Sequence, residues 1–161
     1  MQILIAFYSS DNACKNISLM LKKVLEEKGH NVSLIEFKPK KKLKEFEYNK
    51  LNEIDFENKS KDFDLTNYDL IFIGSSIWSY KLSKVSEQLL KSLKGIENKK
   101  FAVFCSSVIP NNALKKMESI ISTNKGIVLK SKSFYSLLGF SFSRIQEVKD
   151  FALKVLEIAL K

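Results

Sequence analysis

The chain has 161 residues and a mass of 18.5 kDa, with 45% hydrophobic residues, 28% charged residues, five glycines and two prolines. That is the composition of one packed domain spanning residues 1–161, and it excludes a collagenous or largely disordered chain. The net charge is +9, yet 26 of the 27 basic residues are lysine and Arg144 is the one arginine. Base readout and bidentate phosphate clamping favour arginine, so no specific nucleic acid is expected; the lysines read as solvated faces with an attraction for acidic partners. No apolar stretch approaches the roughly 20 residues needed to cross a bilayer, and Met1-Gln2-Ile3-Leu4 lacks the basic leader of a secretory signal. The expectation is a cytoplasmic protein with no membrane partner. Two cysteines, Cys14 and Cys105, and one histidine, His30, offer neither a disulfide framework nor a metal-ligand spacing.

In chain order, Gln2 to Tyr8 (QILIAFY) is a nearly continuous apolar run, the pattern of a strand buried on both faces of a parallel sheet. Ser9 to Asn12 supplies turn and capping chemistry, and Ile17, Leu21, Val24 and Leu25 then recur at helical spacing up to Gly29. Asn31 to Phe37 resumes strand chemistry and completes a βαβ unit. Residues 38–66 are polar and rich in lysine, which predicts a long connection with one short helix, read as a mobile surface loop rather than a lid over the site. Tyr68 to Gly74 is a third strand, Leu82 to Leu93 a helix ended by Gly95, and Phe101 to Cys105 a fourth strand. A helix over Asn111 to Ser122 after Pro110, a fifth strand over Gly126 to Tyr135 and a closing amphipathic helix over Arg144 to Leu160 complete the pattern. The class is α/β: five parallel strands with helices on both faces, and a binding crevice at the carboxyl ends of the strands.

Three strand-end loops are therefore the candidate site. Ser9-Ser10-Asp11-Asn12-Ala13-Cys14 leads into a helix N-terminus, where backbone amides and the helix dipole favour an anion such as a phosphate; the plainer reading is a capped turn in which Asp11 or Asn12 satisfies those amides. Gly74-Ser75-Ser76-Ile77-Trp78-Ser79-Tyr80-Lys81 carries the one tryptophan beside a tyrosine, aromatics that stack on a flat heterocycle or plug the space between loop and helix. Cys105-Ser106-Ser107-Val108 offers small polar groups that border the same space. Cys14 falls in the first turn of a helix, where the dipole lowers a thiol pKa, or simply fills a turn. If Cys14 and Cys105 end strands separated by one other, two spacings of about 4.8 Å put them beyond the roughly 7 Å limit for a bridged pair, and both are expected as thiols.

Together the three loops resemble the flavodoxin family, and the resemblance spans nearly the whole chain. Its carriers are Tyr68-Asp69-Leu70-Ile71-Phe72-Ile73-Gly74-Ser75-Ser76-Ile77-Trp78 and Ile109-Pro110-Asn111-Asn112-Ala113-Leu114-Lys115-Lys116 with the closing helix. The family's phosphate loop reads Ser/Thr-x-Thr-Gly-x-Thr, and its second loop reads Gly-Ser-Pro-Ile-Trp or similar. The resemblance implies a three-layer flavodoxin-like sandwich with strand order 2-1-3-4-5, noncovalent FMN, and electron transfer or FMN-dependent small-molecule redox chemistry with a redox partner protein or a small-molecule acceptor. It also implies site roles. Ser9 falls on the first phosphate hydroxyl within the Ser9 to Cys14 loop, Ser76, Ile77, Trp78, Ser79 and Tyr80 flank the isoalloxazine, and Ser106 and Ser107 form its polar edge; none of these is an acid, base or nucleophile in its own right. Asp11 stands where a threonine is expected, Asn12 where the glycine is, Cys14 where the last threonine is, and Ser76 where the proline is. Losing two hydroxyls, each worth roughly 1.5 to 3 kcal/mol to a charged group, predicts weakened FMN binding. Backbone amides hold the site if Asn12 takes the left-handed conformation of the glycine, which asparagine does better than most residues. The alternative is a flavin-free flavodoxin-like interaction module with an acidic macromolecular partner, and a nucleotide or phosphosugar site ranks below both.

Overall fold

The structure, a computed structural model, describes residues 1–10, 12–57, 64–78, 81–107, 112–135 and 142–161, with side chains for all of these except 78, 142 and 143. The chain order is β1 (Gln2–Tyr8), α1 (Ala13–Glu27), β2 (Asn31–Glu36), α2 (Glu45–Tyr48), β3 (Leu70–Trp78), β4 (Lys81–Leu82), α3 (Lys84–Ser92), β5 (Lys100–Ser107), α4 (Ala113–Thr123), β6 (Ile127–Tyr135) and α5 (Phe142–Ala159). The strand order is β2-β1-β3-β5-β6, all parallel, with β4 paired antiparallel to β3 through Ile77 and Leu82. Setting the two-residue β4 aside, this is the expected 2-1-3-4-5 winding.

Alternation along the central strands divides the core into two. Leu4, Ala6, Ile71, Ile73, Phe101 and Val103 face one side, where Val85, Leu89 and Leu90 of α3 and Met117 and Ile121 of α4 cover them. Ile3, Ile5, Phe7, Phe72, Ala102 and Phe104 face the other, beneath Ile17, Leu21 and Leu25 of α1 and Val148, Phe151 and Val155 of α5. Strands buried on both faces read as unbroken apolar runs, which is why β1 has the bounds expected from sequence. Each fully buried Leu, Ile or Phe contributes roughly 1.5–3 kcal/mol. At Gly74 the sheet has no room for a side chain: a Cβ there would lie 2.3 Å from Cζ of Phe104. The helix ends follow capping chemistry. Gly29 (φ 80°) and Gly95 (φ 71°) turn the chain after α1 and α3, and the Lys100 ammonium donates to the Ala159 carbonyl (2.7 Å) at the end of α5.

Three sequence expectations are corrected. The third strand does not end at Gly74: Ser75, Ser76, Ile77 and Trp78 continue β3, and Ser106 and Ser107 likewise belong to β5. Leu82 is a β4 residue rather than the start of a helix, because the Ser83 hydroxyl accepts from the Ser86 amide (3.0 Å) and sets the N-cap of α3 one residue later. Residues 38–57 are not a loose surface loop. They close on themselves through Lys40 N–H to Asp55 O (2.9 Å) and Glu57 N–H to Lys38 O (2.8 Å), and they bury Tyr48, Ile54 and Phe56. The Phe56 ring meets Phe37 edge-on at 5.7 Å. Pro110 and Asn111, expected at the start of the fourth helix, lie outside the described residues.

Candidate functional site

The carboxyl edge of the sheet is assembled by register. Tyr8 of β1 lies beside Ser75 of β3, Ser75 beside Cys105 of β5, and Ser76 beside Ser106. Neighbouring strands are about 4.8 Å apart, so the segments leaving β1, β3 and β5 share one rim.

At the first of these, the Ser9 hydroxyl accepts from the Lys15 amide (3.2 Å), and the Ser10 amide donates to the Ser76 hydroxyl (3.3 Å). Asn12 is the N-cap of α1 in the left-handed conformation (φ 64°, ψ −11°); its carbonyl accepts from Asn16 N–H (2.9 Å), and its side chain makes no capping hydrogen bond. The residue that stands for the family's glycine thus takes the conformation glycine would take. The cap expected from Asn12 is absent, and the Lys15 amide is met by the Ser9 hydroxyl. Ala13 and Cys14 open the helix; Cys14 is fully buried, and its carbonyl accepts from the Ser18 hydroxyl (2.8 Å). Asp11 lies outside the described residues.

At the second, Ser76 and Ile77 are held in β3 by a hydroxyl chain behind them. Ser75 donates to the Ser76 carbonyl (2.8 Å), so Ser86 donates to Ser75 (2.6 Å) and Ser83 donates to Ser86 (3.0 Å). Each of these hydroxyls has one proton to give, and each gives it within the chain. Trp78 ends the strand, whereas its side chain and residues Ser79 and Tyr80 lie outside the description.

At the third, Ser106 and Ser107 are buried at the end of β5. The Ser106 hydroxyl, 4% exposed, has no hydrogen-bond partner among the described residues. A buried hydroxyl without a partner is unfavourable by about 1–3 kcal/mol, so this atom is ready for a polar group from a ligand. Behind it, the Cys105 and Ser133 side chains approach to 3.2 Å, and neither Cys14 nor Cys105 is in a disulfide.

Sequence reasoning missed a cleft of about 710 Å3 at the β1 and β2 end of this rim. Tyr8, Ser9, Ser10 and Ile77 line its sheet side, and Phe37, Lys38, Lys42, Leu43, Glu45 and Tyr48 close it from the outside; Ser106 and Ser107 do not reach it. Its volume is within the usual range for a small-molecule site. The Tyr8 hydroxyl donates to Glu45 Oε2 (3.3 Å), while Glu45 Oε1 is buried without a hydrogen bond among the described residues. Burial raises the Glu45 carboxyl above its ordinary range, opposed by the Tyr8 bond and the nearby Lys84 amide. Glu36, also on the cleft, is flanked by Lys15 (3.7 Å) and Lys38 (3.6 Å). No sequence signal pairs Tyr8 with Glu45, which lie 37 positions apart. Among the described residues no cluster of three or more His, Cys, Asp or Glu is placed to hold a metal ion, and no helix is long and apolar enough to cross a membrane.

These groups fit a flavin nucleotide in chemistry. Ser9 keeps its own proton to donate while accepting from Lys15, the left-handed turn at Asn12 opens the N-terminus of α1, and Ser106, across the rim, has no partner among the described residues.

No family model matches the sequence, and no curated protein matches it. Solved structures do. Oxidised flavodoxin 2 from Bacillus cereus is 21% identical, with a TM-score of 0.68 over 98% of this chain and 99% of its own. Oxidised flavodoxin 1 from the same organism is 16% identical, with a TM-score of 0.70 and 98% of each chain covered. Rubredoxin oxygen:oxidoreductase from Desulfovibrio gigas is 11% identical, with a TM-score of 0.71 over 99% of this chain and 36% of its own. Strand order, the two-sided core and these likenesses agree: the chain has the flavodoxin-like fold.

Proposed function

We propose that this chain, as one domain over residues 1–161, holds FMN noncovalently at the carboxyl edge of its sheet and serves electron transfer or small-molecule redox chemistry with a redox partner protein or a small-molecule acceptor. The observation that carries the reading is Asn12 in the left-handed conformation at the start of α1, which keeps the backbone path of a phosphate loop without its glycine. In this reading the amides from Ser9 to Cys14 and the Ser9 hydroxyl hold the phosphate. Trp78 and Tyr80, with Ser76, Ile77 and Ser79, flank the ring, and Ser106 and Ser107 give it a polar edge. The flavin supplies the one- and two-electron chemistry when bound; the protein contributes position and the charge tolerated beside the ring. Two buried cysteines outside any disulfide suit a reducing cytoplasm.

One feature favours the flavin-free module instead: Asp11 and Cys14 stand where two phosphate-loop hydroxyls are expected, which leaves Ser9 as the one matching side chain. Titration of the apoprotein into FMN decides between the two. Saturable quenching of flavin fluorescence supports the first reading, and Trp78→Ala is then expected to weaken it without loss of cooperative folding. Absence of quenching up to about 1 mM protein, where binding is worth only about 4 kcal/mol, refutes it.

A further inference from the structure

The net charge of +9 is unevenly placed. Residues 67–135 carry eleven lysines against four carboxylates, whereas residues 1–66 carry twelve against eleven and residues 136–161 four basic groups against three. The basic stretch builds β3, β4, α3, β5, α4 and β6. At its carboxyl edge lies a second cleft of about 580 Å3, bounded by Asn49, Lys81, Lys84, Glu87, Asn112 and Lys116. Among the described residues Glu87 is the one carboxylate on it, and it is already taken: Lys116 reaches Oε2 at 2.6 Å and Lys91 reaches Oε1 at 2.8 Å. Lys81 and Lys84 on the cleft, and exposed Lys115 one residue from Lys116, have no carboxylate within ion-pair distance among the described residues. The N-termini of α3 and α4 meet here, so their backbone dipoles add to the positive field.

We propose that the rim formed by β4 and the first turns of α3 and α4 is the docking surface for an acidic protein, the partner face of an electron carrier. The electron-carrier part rests on the FMN reading, since β4 pairs with Ile77 and Trp78 of the proposed ring site; the acidic-protein part rests on charge alone. A protein fits better than a nucleic acid. The cationic groups are lysine ammoniums, and the single arginine is buried on α5.

The test measures binding of an acidic [2Fe–2S] ferredoxin as probe, with both the apo and the FMN-supplemented chain, at low ionic strength. Lys81→Glu/Lys115→Glu is expected to raise Kd about tenfold, since two attractions become two repulsions. Lys23→Glu/Lys28→Glu, the same change in net charge at the carboxyl end of α1 and its cap, is expected to raise it less than about threefold, because exposed charges more than about 10 Å away are screened. Equal weakening by the two variants overturns the surface in favour of net charge. Failure of the probe to bind, or affinity unchanged by about 0.5 M salt, overturns the acidic partner. Displacement of the ferredoxin by a single-stranded oligonucleotide that the rim variant loses just as steeply assigns the surface to nucleic acid. Because the apo chain carries the same lysines, absence of flavin binding with the rim effect intact removes the redox reading and leaves the docking surface.

Discussion

Replacement of Asn12 isolates the backbone component of the proposed phosphate loop. Its side chain makes no capping hydrogen bond, so truncation to alanine removes no cap; what changes is tolerance of φ 64°. An alanine in the left-handed region is disfavoured by about 1–2 kcal/mol, asparagine by less, and glycine hardly at all. Asn12→Ala is therefore expected to destabilise the bound-competent loop by about 1 kcal/mol, and Asn12→Gly to leave it unchanged or slightly better. If the alanine loop keeps its path in the free chain, the loss appears in folding, as a fall in Tm of about 2–4 °C. If the loop relaxes instead, the loss moves into binding, as about a fivefold rise in the FMN dissociation constant. Urea denaturation of the apoprotein and fluorescence titration with FMN, done on the same three proteins, measure both parts. Their sum is the tested quantity. Alanine and glycine variants that match each other in both assays would refute the claim that this turn governs the loop.

Ser106→Ala removes a buried hydroxyl that has no partner among the described residues, so the apoprotein is expected to gain about 1 kcal/mol in urea denaturation while FMN binding weakens; a destabilised apoprotein contradicts the vacant role given to this hydroxyl. The Lys116 and Lys91 bonds hold Glu87 at about 2, against the usual 4.5. A carboxyl lowered in the folded state adds stability above about 4.5, and that stability disappears as pH falls toward 2. Both lysines are about half exposed, so the contribution is about 1 kcal/mol rather than the roughly 3 that the shift alone implies. Glu87→Gln should therefore lower stability at pH 7 and converge with the parent near pH 2, and parallel curves across that window count against the pairing.

Legibility in the sequence followed how local each determinant is. β1 was readable to its last residue, since burial on both faces leaves an apolar run from Ile3 to Phe7. The end of β3 was not, because Ser75 and Ser76 look like loop residues until Ser86 of α3 is seen to donate to Ser75 and the Ser10 amide to Ser76. Residues 38–57 misled for a different reason. Their lysines dominate the composition, while Tyr48, Ile54 and Phe56 follow neither a helical nor a strand period and find their places only against Phe37 and α3. Within the candidate site, Ser9 and Asn12 were identifiable from their place between a strand and a helix. Glu45 was not, since its burial and its bond to Tyr8 are tertiary facts.

β6 is an outer strand of the sheet, and its pairing with β5 slips between Phe101 and Ala102, so that Leu129 is passed over between Val128 and Lys130. Beyond that irregularity the strand reads Lys130-Ser131-Lys132-Ser133, with Lys132 joined to Glu147 of α5 at 3.3 Å. A regular apolar border would invite a second sheet to add itself there; a kinked one studded with ammonium groups repels its own copy. Two of the eleven lysines that give this stretch its charge thus stand where such an addition would have to begin.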